Sequence, residues 1–126
     1  MVSKPLLATL TFLLFSGCLP PSYSKDEPAL ETESYFIDIK YRDDDVNVLG
    51  DNFEYLSTEG SSLVDDAWFD ESNSYMIIGL DGTYYHYCSL PSATWELFKT
   101  APSFGTYYAS YIKGHYDCRY NYMPIY

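Results

Sequence analysis

From residue 34 onward the chain shows short runs of period two, followed by two stretches of helical period. Residues 34–41 alternate, with Tyr35, Ile37, Ile39 and Tyr41 on one face and Phe36, Asp38 and Lys40 on the other, which predicts a half-buried strand. After the acidic run Asp43, Asp44, Asp45 come residues 46–49, a Gly50, Asp51, Asn52 turn signal, and residues 53–56 as a further short strand. The pattern leaves open whether residues 52–60 join a sheet or run as a loop. Three better defined strands are predicted at 62–70, 74–80 and 83–89, separated by Glu71, Ser72, Asn73 and by Asp81, Gly82. An Asp-Gly pair between two alternating runs predicts a tight hairpin, because a type I′ turn needs two positive φ angles, which Asp and Gly tolerate.

Leu90 and Pro91 end the third of these strands. Pro91 suits a helix start, since its φ is preset and its missing N–H would have no partner there. Residues 92–101 predict a short helix with Thr94, Leu97, Phe98 and Ala101 on one face. Pro102 stops it, and Ser103 is a good N-cap for a second helix. The apolar positions of that helix, Phe104, Tyr107, Tyr108, Tyr111 and Ile112, follow i, i+3, i+4, i+7, i+8 and form one broad stripe. Gly114 suits a C-cap, and Lys113 and His115 sit where the helix dipole favours positive charge.

The first 33 residues have a different character. Residues 1–4 carry one Lys, residues 5–15 are apolar except for Thr9 and Thr11, and small residues with Pro20 and Pro21 follow. That is the layout of a secretory signal peptide. Its apolar stretch is shorter than the roughly 20 residues a membrane-spanning helix needs. Two cleavage sites compete. Phe15, Ser16, Gly17, Cys18 resembles the lipobox of bacterial lipoproteins, departing from it at Phe15, where the pattern prefers an aliphatic residue. Ser22, Tyr23, Ser24 offers small residues at the −3 and −1 places of an ordinary cut. The lipobox-like site is the preferred reading; it makes residues 1–17 the signal peptide and Cys18 the acylated amino terminus. Each buried acyl CH₂ adds about 0.8 kcal/mol of membrane affinity, so two or three chains give a lasting anchor. Leu19 after the Cys resembles an outer-membrane address. Residues 18–33, Pro-rich and then charged, read as a flexible tether.

Under either cut Cys18 leaves the thiol pool, and Cys88 and Cys118 remain as an expected disulfide. The alternative is a pair of buried free thiols in a reducing compartment. With His86 and His115 they make no recognised zinc spacing, so neither a metal nor another cofactor is expected.

The remaining composition narrows the function classes. At 126 residues, 47% hydrophobic and 20% charged, the chain is one domain with a packed core and is too apolar for a disordered tail. Seven basic residues against 18 acidic ones give a net charge of −11, which repels phosphate and disfavours nucleic acid. Asp43, Asp45, Asn47, Leu49, Asp51 and Glu54 fall at the liganding positions of an EF-hand loop, but Val48 stands where the sharp turn needs Gly, and the flanks read as strands. The reading is therefore a solvated acidic turn. Neither histidine has a nucleophile motif beside it, and His115, at a helix end, reads as a surface or capping residue.

Tyr85, His86, Tyr87, then Pro91, Ala101, Ser103, Gly105, Tyr107, Ile112 and Tyr116, with Ser61, Ser62, Phe69 and Asp70 upstream, resemble the KTSC domain family, named for the C-terminal domain of some lysyl-tRNA synthetases. The resemblance covers residues 58–116. It implies a small α+β unit, a three-stranded antiparallel meander covered by two C-terminal helices, preceded in this chain by one or two extra strands. It also implies a division into an N-terminal strand extension (34–57), a KTSC-like domain (58–118) and a tail (119–126). The synthetase context suggests RNA binding, which the acidic charge and the export signal oppose. Alternation sends Tyr85 and Tyr87 to one face, and Tyr84 and His86 to the other. If that second pair joins Trp68, Tyr75 or Trp95 in an exposed patch, it forms a binding surface for a protein or glycan. The expectation is a monomeric, non-enzymatic, lipid-anchored envelope protein acting as an interaction module. The alternatives are a non-lipidated secreted or periplasmic binding protein of inhibitor or immunity type, and an enzyme whose site is not visible in the sequence.

Overall fold

A computed structural model describes residues 33–126. The expected signal peptide, Cys18 and the expected tether up to residue 32 lie outside the described residues. The fold is α+β. Six strands run β1 (Phe36–Ile37), β2 (Val46–Asn47), β3 (Glu54–Ser57), β4 (Val64–Asp70), β5 (Tyr75–Leu80) and β6 (Thr83–Tyr87), followed by α1 (Ser92–Lys99), α2 (Phe104–Tyr107) and a π-helical turn (Tyr108–Ile112). β1 and β2 form a two-stranded antiparallel sheet; β3 to β6 form an antiparallel meander in chain order. The fourth strand of the meander is β3, so residues 54–57 join the sheet although they precede the expected domain start.

The β5–β6 hairpin turns at Asp81 (φ 50°) and Gly82 (φ 85°), the two positive φ angles that the Asp-Gly pair predicts. Asp65 Oδ2 accepts the Gly82 N–H at 2.7 Å and ties this turn to β4. At Asp65 the β4–β5 register shifts by one residue, so that Val64 pairs with Leu80 and Asp66 with Gly79. The bulge restores the alternation along β4: Ala67 and Phe69 face one side, Asp66 and Trp68 the other.

The helices cover the first side. Ala67, Phe69, Met76, Ile78, Leu90, Trp95, Phe98, Tyr108 and Ile112 form one buried cluster, with Tyr85, Tyr87, Tyr107 and Tyr116 packed against it. On α1 the buried residues are Trp95 and Phe98, while Leu97 is 61% exposed, which corrects the predicted Thr94, Leu97, Phe98, Ala101 stripe. Trp95 takes the inward place because its ring stacks on Phe69 with centroids 5.1 Å apart, and its indole N–H donates to Glu54 at 3.0 Å. α1 stops at Lys99, short of Ala101.

Ser103 caps α2 by accepting the Thr106 N–H at 3.2 Å. The helix then widens: the Lys113 N–H donates to the Tyr108 carbonyl, a bond spanning five residues. The extra residue rotates the last turn, so Tyr108 and Ile112 stay buried while Tyr111, predicted on the same stripe, is exposed.

The second side of the meander is also a core. Ile37, Ile39, Val46 and Val48 from the N-terminal segment pack with Trp68, Tyr75, Ile77 and Cys88. The predicted strand at 34–41 is real only at Phe36–Ile37, plus a bridge from Ile39 to Tyr84; Tyr35 and Tyr41 stay exposed, the latter at φ 70°. Cys88 and Cys118 lie at disulfide distance with Cα atoms 4.9 Å apart, next to a hydrogen bond from the Cys88 N–H to the Tyr116 carbonyl. A bond closing a separation of 30 residues would stabilise the fold by roughly 3.6 kcal/mol in the chain-entropy treatment.

Candidate ligand groove

The five side chains expected to make an exposed patch are distributed otherwise. Trp68, Tyr75 and Trp95 are buried, and Trp95 lies on the helix side of the sheet, away from the other four. The reason is that the N-terminal segment lays its valines and isoleucines across the face that Trp68 and Tyr75 share. The structure does bring Trp68 to Tyr84, with ring centroids 6.0 Å apart, and Tyr75 to His86, whose Nδ1 lies 2.8 Å from the Tyr75 hydroxyl.

Tyr75 and His86 belong to a polar chain inside this second core. The guanidinium of buried Arg42 donates to the Tyr75 hydroxyl at 3.2 Å and to Asp44 at 3.0 Å, and lies over the rings of Tyr75 and Tyr126. Burial pushes the Tyr75 hydroxyl up to about 12 against the pull of Arg42, so it keeps its proton and shares a hydrogen bond with His86 Nδ1. Burial, then the charge of Arg42, hold His86 below the usual imidazole range, and Asp117 opposes them. Tyr126 closes the network by donating to Asp70 Oδ2 at 2.6 Å, where Asn73 Nδ2 also donates. Arg42 Nε makes no hydrogen bond but stands 3.0 Å from Asp44 Oδ1 as an ion pair, every other one of these groups has its hydrogen-bond partner, and the cluster reads as structural.

A groove of about 430 Å³ lies beside the second core. Tyr35 and Leu49 border it from the N-terminal segment, Phe53 and Tyr55 from the start of the meander, and Asp66 and Trp68 from β4. The rings of Tyr55 and Trp68 stand 5.4 Å apart, tilted by 47°. Asp66 is out of keeping with these surroundings. It occupies an inward strand position, its Oδ1 is buried without a hydrogen-bond partner among the described residues, and its Oδ2 accepts only a long bond from the Tyr84 hydroxyl at 3.4 Å. Desolvation, with help from the neighbouring charge of Asp65, raises its carboxyl above the usual range against the Tyr84 bond. Gly79 makes room for it: a Cβ there would stand 2.6 Å from Asp66 Oδ1. A second opening, beside Phe36, Lys40 and Tyr84, has no comparable unpaired group on its walls.

The family model of the KTSC domain matches residues 60–116. These residues form a KTSC domain. No curated protein and no solved structure matches the chain. The KTSC domain thus holds β4 to β6, both helices and the π turn, while β1 to β3 precede it. Asp66 and Trp68 come from the domain, whereas Tyr35, Leu49, Phe53 and Tyr55 come from the segment before it, so the groove is built jointly. Pro91, Ala101, Ser103, Gly105, Tyr107, Ile112 and Tyr116 of the family pattern all lie away from it, around the helices. Sequence reasoning identified Trp68 but missed Asp66, Tyr35, Phe53 and Tyr55. The one available signal was Asp66 itself, a charge two residues before Trp68 on the same strand face.

The acidic run Asp43, Asp44, Asp45 leads directly into strand β2. Val46–Asn47 is strand β2 and Val48 is buried, so the segment with EF-hand spacing is part of the sheet structure rather than a loop between helices. Among the described residues no three His, Cys, Asp or Glu groups come together as metal ligands, and no helix is long and apolar enough to cross a membrane.

Proposed function

We propose that this chain is an exported, non-enzymatic binding protein, anchored to the cell envelope through a lipid on Cys18, whose KTSC domain and N-terminal extension hold a partner at the groove. The observation that carries the binding role is the aromatic groove with a carboxylate in its wall whose single hydrogen bond is long and whose Oδ1 has no partner among the described residues. A buried charge without a partner costs stability and is a common mark of a functional site. The export reading is supported by the pattern of residues 1–24 and by a Cys pair at disulfide distance, which suits an oxidising compartment. Cleavage before Cys18 removes Lys4 and no acid, moving the charge from −11 to −12. Such a chain favours a protein or glycan partner over nucleic acid. His86, tied to Tyr75 inside the fold, and His115, exposed at a helix end, suit structural roles better than general-base catalysis.

The intact mass of the protein from its host, with and without reduction, tests the export reading. A chain starting at Cys18 with acyl mass, gaining 2 hydrogen masses on reduction, supports it. Cys18→Ser should then release the protein from membranes. A chain starting at Lys25 would instead make it a diffusible periplasmic or secreted binding protein, the second reading that the Ser22, Tyr23, Ser24 site favours. Retention of residues 1–17 would refute export.

A further inference from the structure

We propose that the groove receives the cationic side chain of a basic peptide segment, with Asp66 as its counter-charge and the rings of Tyr35, Tyr55 and Trp68 as its walls. This rests on the reading of the groove as the ligand site and adds the chemistry of the ligand.

The state of Asp66 decides between a neutral and a charged occupant. Among the described residues the ion pairs are Arg42 with Asp44, Lys99 with Glu54 and Glu96, and Arg119 with Asp117; Asp66 has none. A neutral ligand filling the groove would further desolvate a carboxylate whose only hydrogen bond is the long one from Tyr84, and that cost would come off its affinity. A guanidinium or ammonium group relieves the same cost and gains the attraction of aromatic faces within about 6 Å. Water exclusion strengthens both effects.

Two further features favour a peptide over a small free amine. β3 is an edge strand of the meander and carries Tyr55 of the groove wall, so an extended segment can pair along its outer edge. The chain as a whole is strongly acidic, which steers a basic partner and repels an acidic one. The N-terminal segment and the KTSC domain both contribute walls, so the domain fold alone does not supply the site.

The test uses the processed protein from its host, ¹⁵N-labelled, titrated with acetyl-Gly-Arg-Gly-amide and with the same peptide carrying citrulline, which keeps the shape of arginine without its charge. The arginine peptide should shift the Trp68 indole and Tyr55 signals, bind about tenfold more tightly than the citrulline peptide, and weaken with added salt. Asp66→Asn should remove most of that tenfold difference. Tyr55→Ala, at an exposed ring, should weaken both peptides without unfolding the protein. Equal binding of the two peptides at the groove would overturn the cationic ligand and leave the groove as a binding site. Absence of any shift at Trp68 and Tyr55 at millimolar peptide would overturn both. Should Asp66→Asn fail to fold, the arginine and citrulline comparison on the unmodified protein still decides the matter.

Discussion

Gly79→Ala sets two opposing effects against each other at the groove wall. Gly79 has no left-handed φ, so an added methyl is a question of space alone. In a strand interior, Ala in place of Gly is favoured by about 0.5–1 kcal/mol through the entropy of the unfolded chain. Against this, the new Cβ would stand 2.6 Å from Asp66 Oδ1, and 2.9 and 3.3 Å from Cε1 and Cδ1 of Tyr84. Both neighbours are side chains, but the Tyr84 ring packs on Trp68, and Asp66 is confined beneath it. Overpacking of this kind costs about 1–3 kcal/mol. The packing cost outweighs the entropy gain over most of these ranges, and the net loss should be about 0–2.5 kcal/mol, centred on about 1. Urea unfolding followed by tryptophan fluorescence, with the disulfide intact, reads this as a midpoint lowered by about 1 M. In an Asp66→Ala background the nearest clashing atom is gone, and the loss should shrink by at least about 0.5 kcal/mol. A raised midpoint, or the same loss in both backgrounds, would refute the packing of Asp66 against the sheet.

Three further outcomes follow from the same contacts. Asp66, held above its ordinary 3.8, binds its proton more readily folded than unfolded, so its cost to stability appears as pH rises through that range. Asp66→Asn should therefore stabilise the protein at pH 7, by less than about 1 kcal/mol once solvent screening of this partly exposed group is counted, and by less at pH 4; a loss at pH 7 would count against a poorly paired carboxylate. His86, held below its ordinary 6.5, is the opposite case: the unfolded chain takes up a proton that the native ring resists, so stability falls as pH drops below 6.5. His86→Gln should flatten that slope in thermal melts between pH 7 and 5, and an unchanged slope would exclude His86 as its source. Tyr126→Phe removes the donor to buried Asp70 and should cost about 1.5–3 kcal/mol in chemical unfolding; a neutral result would show that Asn73 alone satisfies the carboxylate.

Local signals determined the parts of this protein whose physics is local. The Asp81, Gly82 turn follows from φ preferences, the start of α2 from the Ser103 hydroxyl, and the order of strands then helices from a change of hydrophobic period. Parity of cysteines, with Cys18 set aside, pointed to Cys88 and Cys118, and the residues from Tyr85 to Tyr116 pointed to the KTSC domain. Alternation also separates Tyr85 and Tyr87 from Tyr84 and His86, because the pleat leaves no other choice.

Alternation does not say what lies over each face. Only the return of residues 37–48 across the sheet turned the face of Trp68 and Tyr75 into a second core, and only the competition for space over Phe69 put Trp95 inward and Leu97 outward. The π turn escapes a 3.6-residue template, so Tyr111 left a stripe that the spacing placed it on. The groove is the extreme case. Its walls come from residues 35, 49, 53, 55, 66 and 68, and the absence of a Cβ at Gly79 lets Asp66 lie within it. No window of sequence contains that arrangement, because it exists only where three segments meet; the hydrophobic pattern reports which side chains seek cover, and the tertiary structure decides which carboxylate is left with a single long hydrogen bond.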